Sequence, residues 1–87
     1  MIVSETRVAI REFLVSHSYH GVTADELERS ANLTEDGILD SLGLMELVGF
    51  LDERFSIDLQ PDDIVSANFK TLDTITALVR AKLEAGG

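Results

Sequence analysis

The sequence predicts an all-α fold: a small four-helix bundle of three main helices and one short one, with a long first loop. Three observations carry this. Apolar residues recur at spacings of three and four in well-separated stretches, which is the period of a helix face. No stretch alternates apolar and polar residues over a useful strand length, and no repeat or low-complexity tract is present. The chain has 87 residues, of which 45% are apolar and 26% charged, enough to bury one core and too hydrophobic for a disordered acidic tail. Residues 1–87 are therefore read as a single domain.

The first helix runs from Glu5 to about Ser18, with Val3, Ile10, Phe13 and Leu14 on one stripe. Glu5 suits the positive end of the helix dipole, and Gly21 after His17-Ser18-Tyr19-His20 supplies a stop. From Gly21 to Leu39 the period fades into a polar segment marked by Ser30, Asn32, Thr34 and Gly37, with one short turn over Ala24 to Arg29. A loop of this length is uncommon in a compact domain unless it has a use. Leu27, Leu33, Ile38 and Leu39 are the residues available to pin it to the core. Asp40 is a good N-cap for a second helix from Ser41 to about Phe55, which Ser56-Ile57-Asp58-Leu59-Gln60 breaks. Pro61 opens a short third helix reaching about Ser66, with Asp62 and Asp63 near its positive end. Phe69 plugs the core from the connection. Thr71 caps the last helix, whose stripe is Leu72, Ile75, Leu78, Val79 and Leu83, and Gly86-Gly87 end the chain.

Sixteen acids against seven bases give a formal charge of −9, which repels nucleic acid and anionic membranes and makes basic surfaces the natural partners. From Glu35 to Asp63 there are nine acids and one base, Arg54, so the acidity is concentrated mid-chain. The absence of cysteine excludes disulfides, thiolate zinc sites and a catalytic thiol. No apolar run approaches the roughly 20 residues of a membrane span, and Met1-Ile2-Val3-Ser4-Glu5 lacks the basic start of a signal peptide. A soluble, cytoplasmic monomer is expected. No linker sequence flanks the bundle, which reads as free-standing.

Projected at about 100° per residue, the helix that starts at Ser41 carries Leu44, Leu47, Val48, Leu51 and Phe55 on its buried stripe. Leu42, Met45, Glu46, Gly49, Asp52 and Glu53 fall on the other side. Two large apolar side chains rimmed by carboxylates, beside the hydroxyl of Ser41, mark a docking surface. Ser41 has no base with which to build a hydrolytic site, because the only histidines, His17 and His20, lie together at the end of the first helix. A hydroxyl at a helix N-terminus has another use: a phosphate esterified there meets the positive end of the dipole.

Asp36-Gly37-Ile38-Leu39-Asp40-Ser41-Leu42, followed by Glu46-Leu47 and a helix ending at Phe55, resembles the acyl and peptidyl carrier proteins. The resemblance covers essentially the whole chain, since the helices, the long loop, the Pro61 turn and Phe69 fall in the family's order. It implies that Ser41 receives 4'-phosphopantetheine from coenzyme A and that the arm's thiol then holds cargo as a thioester. It implies that Asp40 is the motif acid, assisting the transferase's metal-dependent reaction as well as capping the helix. Leu42, Met45, Glu46 and Glu53 match the positions that partner enzymes read through basic patches. The implied partners are a phosphopantetheinyl transferase, an acyl-loading or adenylating enzyme, and ketosynthase- or condensation-type and tailoring enzymes. The carrier itself is expected to catalyse nothing and to bind no metal of its own.

The expected function is thus a discrete acyl carrier in a fatty-acid or polyketide-type pathway. An aminoacyl or peptidyl carrier loaded by an adenylating ligase is the alternative, kept open by Gly43-Leu44, which departs from the more polar pair of fatty-acid carriers. An unmodified helical interaction domain anchored by Leu42 and Met45 is the alternative from another class. The terminal Gly-Gly of ubiquitin-like sulfur carriers belongs to a strand-rich fold that the helical period disfavours. Thr34-Glu35-Asp36-Gly37 lacks the alternating ligands of a calcium loop.

Overall fold

Short polar side chains start three of the helices and a left-handed residue ends the longest, so local chemistry sets most of the element boundaries. The computed structural model describes residues 5–17 and 21–85. Val3, the Ser18-Tyr19-His20 segment and Gly86-Gly87 lie outside the described residues. The helices are α1 (Glu5–Ser16), α2 (Ala24–Arg29), α3 (Ser41–Phe55) and α4 (Leu72–Glu84). Two 3-10 turns, Pro61–Asp63 and Ser66–Phe69, lie between α3 and α4. No strand occurs among the described residues.

At α2, the Thr23 hydroxyl accepts from Glu26 N at 3.1 Å while Glu26 Oε1 accepts from Thr23 N at 2.9 Å, a reciprocal cap. At α4, Thr71 Oγ1 accepts from Thr74 N and Thr74 Oγ1 from Thr71 N, at 3.1 and 3.0 Å. At α3, Asp40 Oδ1 accepts from Gly43 N at 2.7 Å. Ser56 ends α3 in the left-handed region, φ 56° and ψ 45°, with its N–H returned to the Asp52 carbonyl.

The segment between α2 and α3 is a tied loop. The Asn32 carboxamide accepts from Thr34 N and Glu35 N at 3.1 and 3.0 Å, and Gly37 turns the chain at φ 77°. Leu33 donates its N–H to the Lys70 carbonyl at 2.8 Å and accepts from Ile38 N and Leu39 N at 2.9 and 3.0 Å. Leu27, Leu33 and Leu39 are buried and Ile38 half-buried, so the apolar residues expected to pin the loop do so. The buried core also takes Ile10 and Leu14 from α1, Leu47, Val48 and Leu51 from α3, Phe69, and Leu72, Ile75 and Val79 from α4. Leu44 and Phe55 pack against its edge.

Three expectations are corrected. The short helix expected over residues 61–66 is two 3-10 turns, because Asp63 folds back on the Gln60 N–H at 2.9 Å and Val65 is extended at φ −121°, ψ 154°. Leu83 is exposed at 44%, since from Arg80 onward every described residue but Lys82 is exposed and the last turn of α4 has left the core. Thr76 takes a buried place on α4 instead, its hydroxyl donating to the Leu72 carbonyl at 2.7 Å. Asp52 is half-buried rather than outward, because the reversal at Ser56 carries the Leu59 N–H onto Asp52 Oδ1 at 3.0 Å.

Aromatic and ionic contacts complete the packing. Phe13 of α1 stacks on Phe50 of α3 with centroids 4.3 Å apart, and His17 stacks on the other face of the pair at 4.1 Å from Phe13. Arg7 and Arg11 of α1 both reach Glu28 of α2, and Arg7 also reaches Asp73 of α4. The hydrogen bond from Arg7, then that from Arg11, holds the Glu28 carboxyl below the usual carboxylate range. Lys82 does the same for Asp63, joining the first 3-10 turn to α4 at 2.8 Å.

A carboxyl whose folded pKa is depressed stabilises the fold above its unfolded value and loses that contribution as pH falls through the folded value. Glu28→Gln should therefore lower the melting temperature at pH 7, with the gap to the wild type closing as pH falls below the ordinary carboxylate value of about 4.3. Melts taken from about pH 7 down to about pH 2 check this, and a gap that does not change with pH would assign the effect to packing. The α3 cap makes a separate prediction. Asp40→Ala should cost about 1 kcal/mol in urea unfolding and Asp40→Asn only a few tenths, since an amide oxygen can still accept from Gly43 N.

Candidate functional site

The loop delivers Ser41 as the first residue of α3 in a fixed position. Leu39 is 3% exposed, so the chain leaves the core one residue before Asp40, and Asp40 and Ser41 emerge into solvent. Asp40 has extended backbone, φ −99° and ψ −175°, and its carbonyl takes the N–H of Leu44 at 2.8 Å as the first helical bond. Its Oδ1 satisfies Gly43 N, while no contact engages Oδ2 among the described residues. The Ser41 and Leu42 N–H groups have no acceptor, and the Ser41 hydroxyl no hydrogen bond, among the described residues. The positive end of the α3 dipole is thus open beside an exposed primary hydroxyl.

The outward face of α3 continues from Ser41. Leu42 is 57% and Met45 60% exposed, Glu53 is exposed and Glu46 half-buried. The helical positions i, i+3, i+4 and i+11 bring these four onto one face, as the projection from sequence expected. Glu46 and Glu53 form no ion pair among the described residues. Asp52, projected to the same side, belongs to the junction with residue 59 instead.

Among the described residues, nothing assembles a hydrolytic site around Ser41. His17 Nδ1 lies 3.0 Å from the Phe13 carbonyl, and His17 lines a recess with Phe13, Phe50 and Arg54. Arg54 is 13 residues beyond Ser41 along α3, about 20 Å at 1.5 Å per residue, so the imidazole sits by the far end of that helix. His20 lies outside the described residues. No group of His, Cys, Asp and Glu able to hold a metal ion occurs among the described residues.

Two features were not read from the sequence. Phe50 projects about 60° outside the buried stripe, yet Phe13 covers it, a pairing that only the packing of α1 on α3 creates. An open recess of about 640 Å³ is lined by Val22, Glu26, Arg29, Ser30, Asp36, Gly37 and Ile38. Its walls come from α2 and the folded loop, which have no periodic signal in common.

Comparison with known proteins gives this arrangement its context. Residues 19–81 match the family model described as the phosphopantetheine attachment site. Over 43 residues, 49% of this chain, the sequence is 42% identical to a protein named acyl carrier protein from Nitratidesulfovibrio vulgaris, strain DSM 19637 / Miyazaki F. Over a stretch of the same length it is 40% identical to the proteins of the same name from the DP4 and Hildenborough strains. The aligned stretch covers 57% of each relative, so the chain spans little more than half the length of the curated relatives it matches. The family match itself extends over well more than half of the 87 residues, and the chain belongs to the phosphopantetheine-attachment family of carrier proteins, whose 4'-phosphopantetheine is covalently attached.

Proposed function

We propose that Ser41 is the attachment residue and that the chain is a single, monomeric, cytoplasmic carrier domain without catalytic activity. In this reading it conveys an acyl group between enzymes of a fatty-acid or polyketide-type pathway. The observation that carries the reading is the exposed Ser41 hydroxyl at the first position of α3, next to N–H groups with no acceptor among the described residues. These residues fit a phosphodiester: it needs an accessible hydroxyl to esterify and donors for its anionic oxygens, and a helix N-terminus supplies both. The name shared by the relatives, acyl carrier protein, supports an acyl cargo.

Ser41 Oγ would form the new O–P bond to the 4'-phosphate of coenzyme A as the pyrophosphate bond to adenosine 3',5'-bisphosphate breaks. The serine proton leaves to a base on the transferase. Asp40 keeps the helix start rigid during this exchange, because one of its oxygens holds Gly43 N while the other stays available. Once bound, the arm supplies a thiol that holds the cargo as a thioester. Leu42 and Met45 offer the apolar contact and Glu46 and Glu53 the charge that a basic enzyme surface reads. With a net charge of −9, encounters are steered and sensitive to salt, as exposed charges are screened over about 8 Å at physiological ionic strength.

Intact mass after incubation with coenzyme A, Mg²⁺ and a broad-specificity phosphopantetheinyl transferase tests the attachment. One phosphopantetheine is expected on the wild type and none on Ser41→Ala; no addition to a folded wild type would return the chain to an unmodified interaction domain. Loading with a panel of acyl and aminoacyl donors then separates acyl from aminoacyl cargo. Replacing Glu46 and Glu53 together with Lys should slow association with the transferase by about tenfold at low salt while leaving the circular dichroism unchanged. An unchanged association rate would remove the steering.

A further inference from the structure

Glycine is the least favourable residue in a helix interior apart from proline, and in a fold it usually has a local reason. Gly37 has one, its positive φ of 77°. Gly43 has another, because a Cβ there would stand 3.1 Å from Asp40 Oδ1 and 3.5 Å from Leu39 Cδ1, crowding the cap. Gly49 has neither. It lies inside the 15-residue α3, it is not among the positive-φ residues, and a Cβ added to it would meet nothing within 4 Å. The described fold contains no packing reason for glycine at this position.

Its place on α3 supplies one from outside. Gly49 is exposed, one turn beyond Met45 and one turn before Glu53, with Glu46 three residues before it. The missing side chain leaves open space in the outward face, a notch whose neighbours along the helix, within one turn, are the exposed Met45 and the carboxylates Glu46 and Glu53. Eight residues separate Gly49 from Ser41, about 12 Å along the helix axis. An enzyme that brings its active site to Ser41 and covers about 800 Å² of its partner would span that distance.

We propose that Gly49 is a close-approach point for the phosphopantetheinyl transferase, the notch admitting an apolar side chain that the enzyme presents among basic residues. The occupant follows from two facts: covalent phosphopantetheine requires an enzyme to install it, and the rim of the notch is acidic, which selects a cationic surface. The inference rests on the reading that Ser41 is modified and that the outward face of α3 docks.

The test measures kcat and KM for the carrier with a broad-specificity transferase, coenzyme A and Mg²⁺, using the wild type, Gly49→Ala, Gly49→Leu and Met45→Ala, with thermal melts of each. Gly49→Ala should melt about 4 °C higher than the wild type, since alanine favours the helix and touches nothing. Its KM should nevertheless rise about threefold, and that of Gly49→Leu at least tenfold, with kcat little changed. Both Gly49 variants loading with wild-type KM while Met45→Ala raises it would overturn the notch and leave the docking face standing. Wild-type KM in Met45→Ala as well would overturn the docking face, and the notch with it.

Discussion

The fold depends on the way Leu33 is held. Its side chain is fully buried, its N–H is bound to the carbonyl of Lys70, and its own carbonyl takes the N–H groups of both Ile38 and Leu39. One residue therefore closes the long loop on itself and fastens it to the segment that leads into α4. A buried leucine stabilises the loop by about 1.5 to 3 kcal/mol, and the paired backbone groups avoid the penalty of burying them unmet. Because the loop is closed at Leu39, the next two residues have one path, and Asp40 and Ser41 reach solvent together at the start of α3. The place of the hydroxyl is fixed from below, by apolar burial and backbone pairing, rather than by any group that touches it.

The same economy divides the two sides of α3. Leu47 and Leu51 are fully buried, while Leu42 and Met45, of similar size and on the same helix, stand more than half exposed. Exposed apolar side chains contribute little to folding, so in the proposed reading their presence opposite a well-filled core stripe serves recognition. On that proposal, stability and recognition occupy separate faces of one helix. A bound partner can cover the outward face without disturbing the residues that hold the bundle together.

What was legible in the sequence follows from how local each cause is. The α3 cap, the break of α3 at Ser56, the buried leucines of the loop and the outward pair Leu42 and Met45 all follow from nearest neighbours or a single helical period. Phe50 was not legible because its partner Phe13 is 37 residues away and joins it only after α1 docks. Asp52 was misplaced because its acceptor role depends on where the chain returns after Ser56. Leu83 keeps the period of its helix but outruns the neighbours that would cover it, and periodicity carries no information about the length of a partner. The break between the two 3-10 turns arises from a choice by Asp63 between solvent and its two donors, Gln60 N and Lys82. The opening at Ser41 belongs to the legible part, since a capping acid before a serine at a helix start states it directly.

The electrostatic character of the outward face arises from the use of the bases elsewhere. Of the seven, Arg7 and Arg11 are spent on Glu28 and Asp73, Arg29 on Asp25, Lys82 on Asp63, and Arg54 lies over the Phe55 ring at 5.2 Å. The Arg7, Arg11 and Lys82 pairs join α1, α2, the connection and α4, and they neutralise acids on those elements. Glu46 and Glu53 receive no such partner among the described residues. The net charge of −9 is therefore not spread evenly, and on the outward face of α3 an approaching cation meets two carboxylates that no base pairs among the described residues. In the proposed reading, pairs that hold the bundle together also leave one face for a basic partner to find, so a change that weakens the Arg7 and Arg11 network would alter both stability and steering.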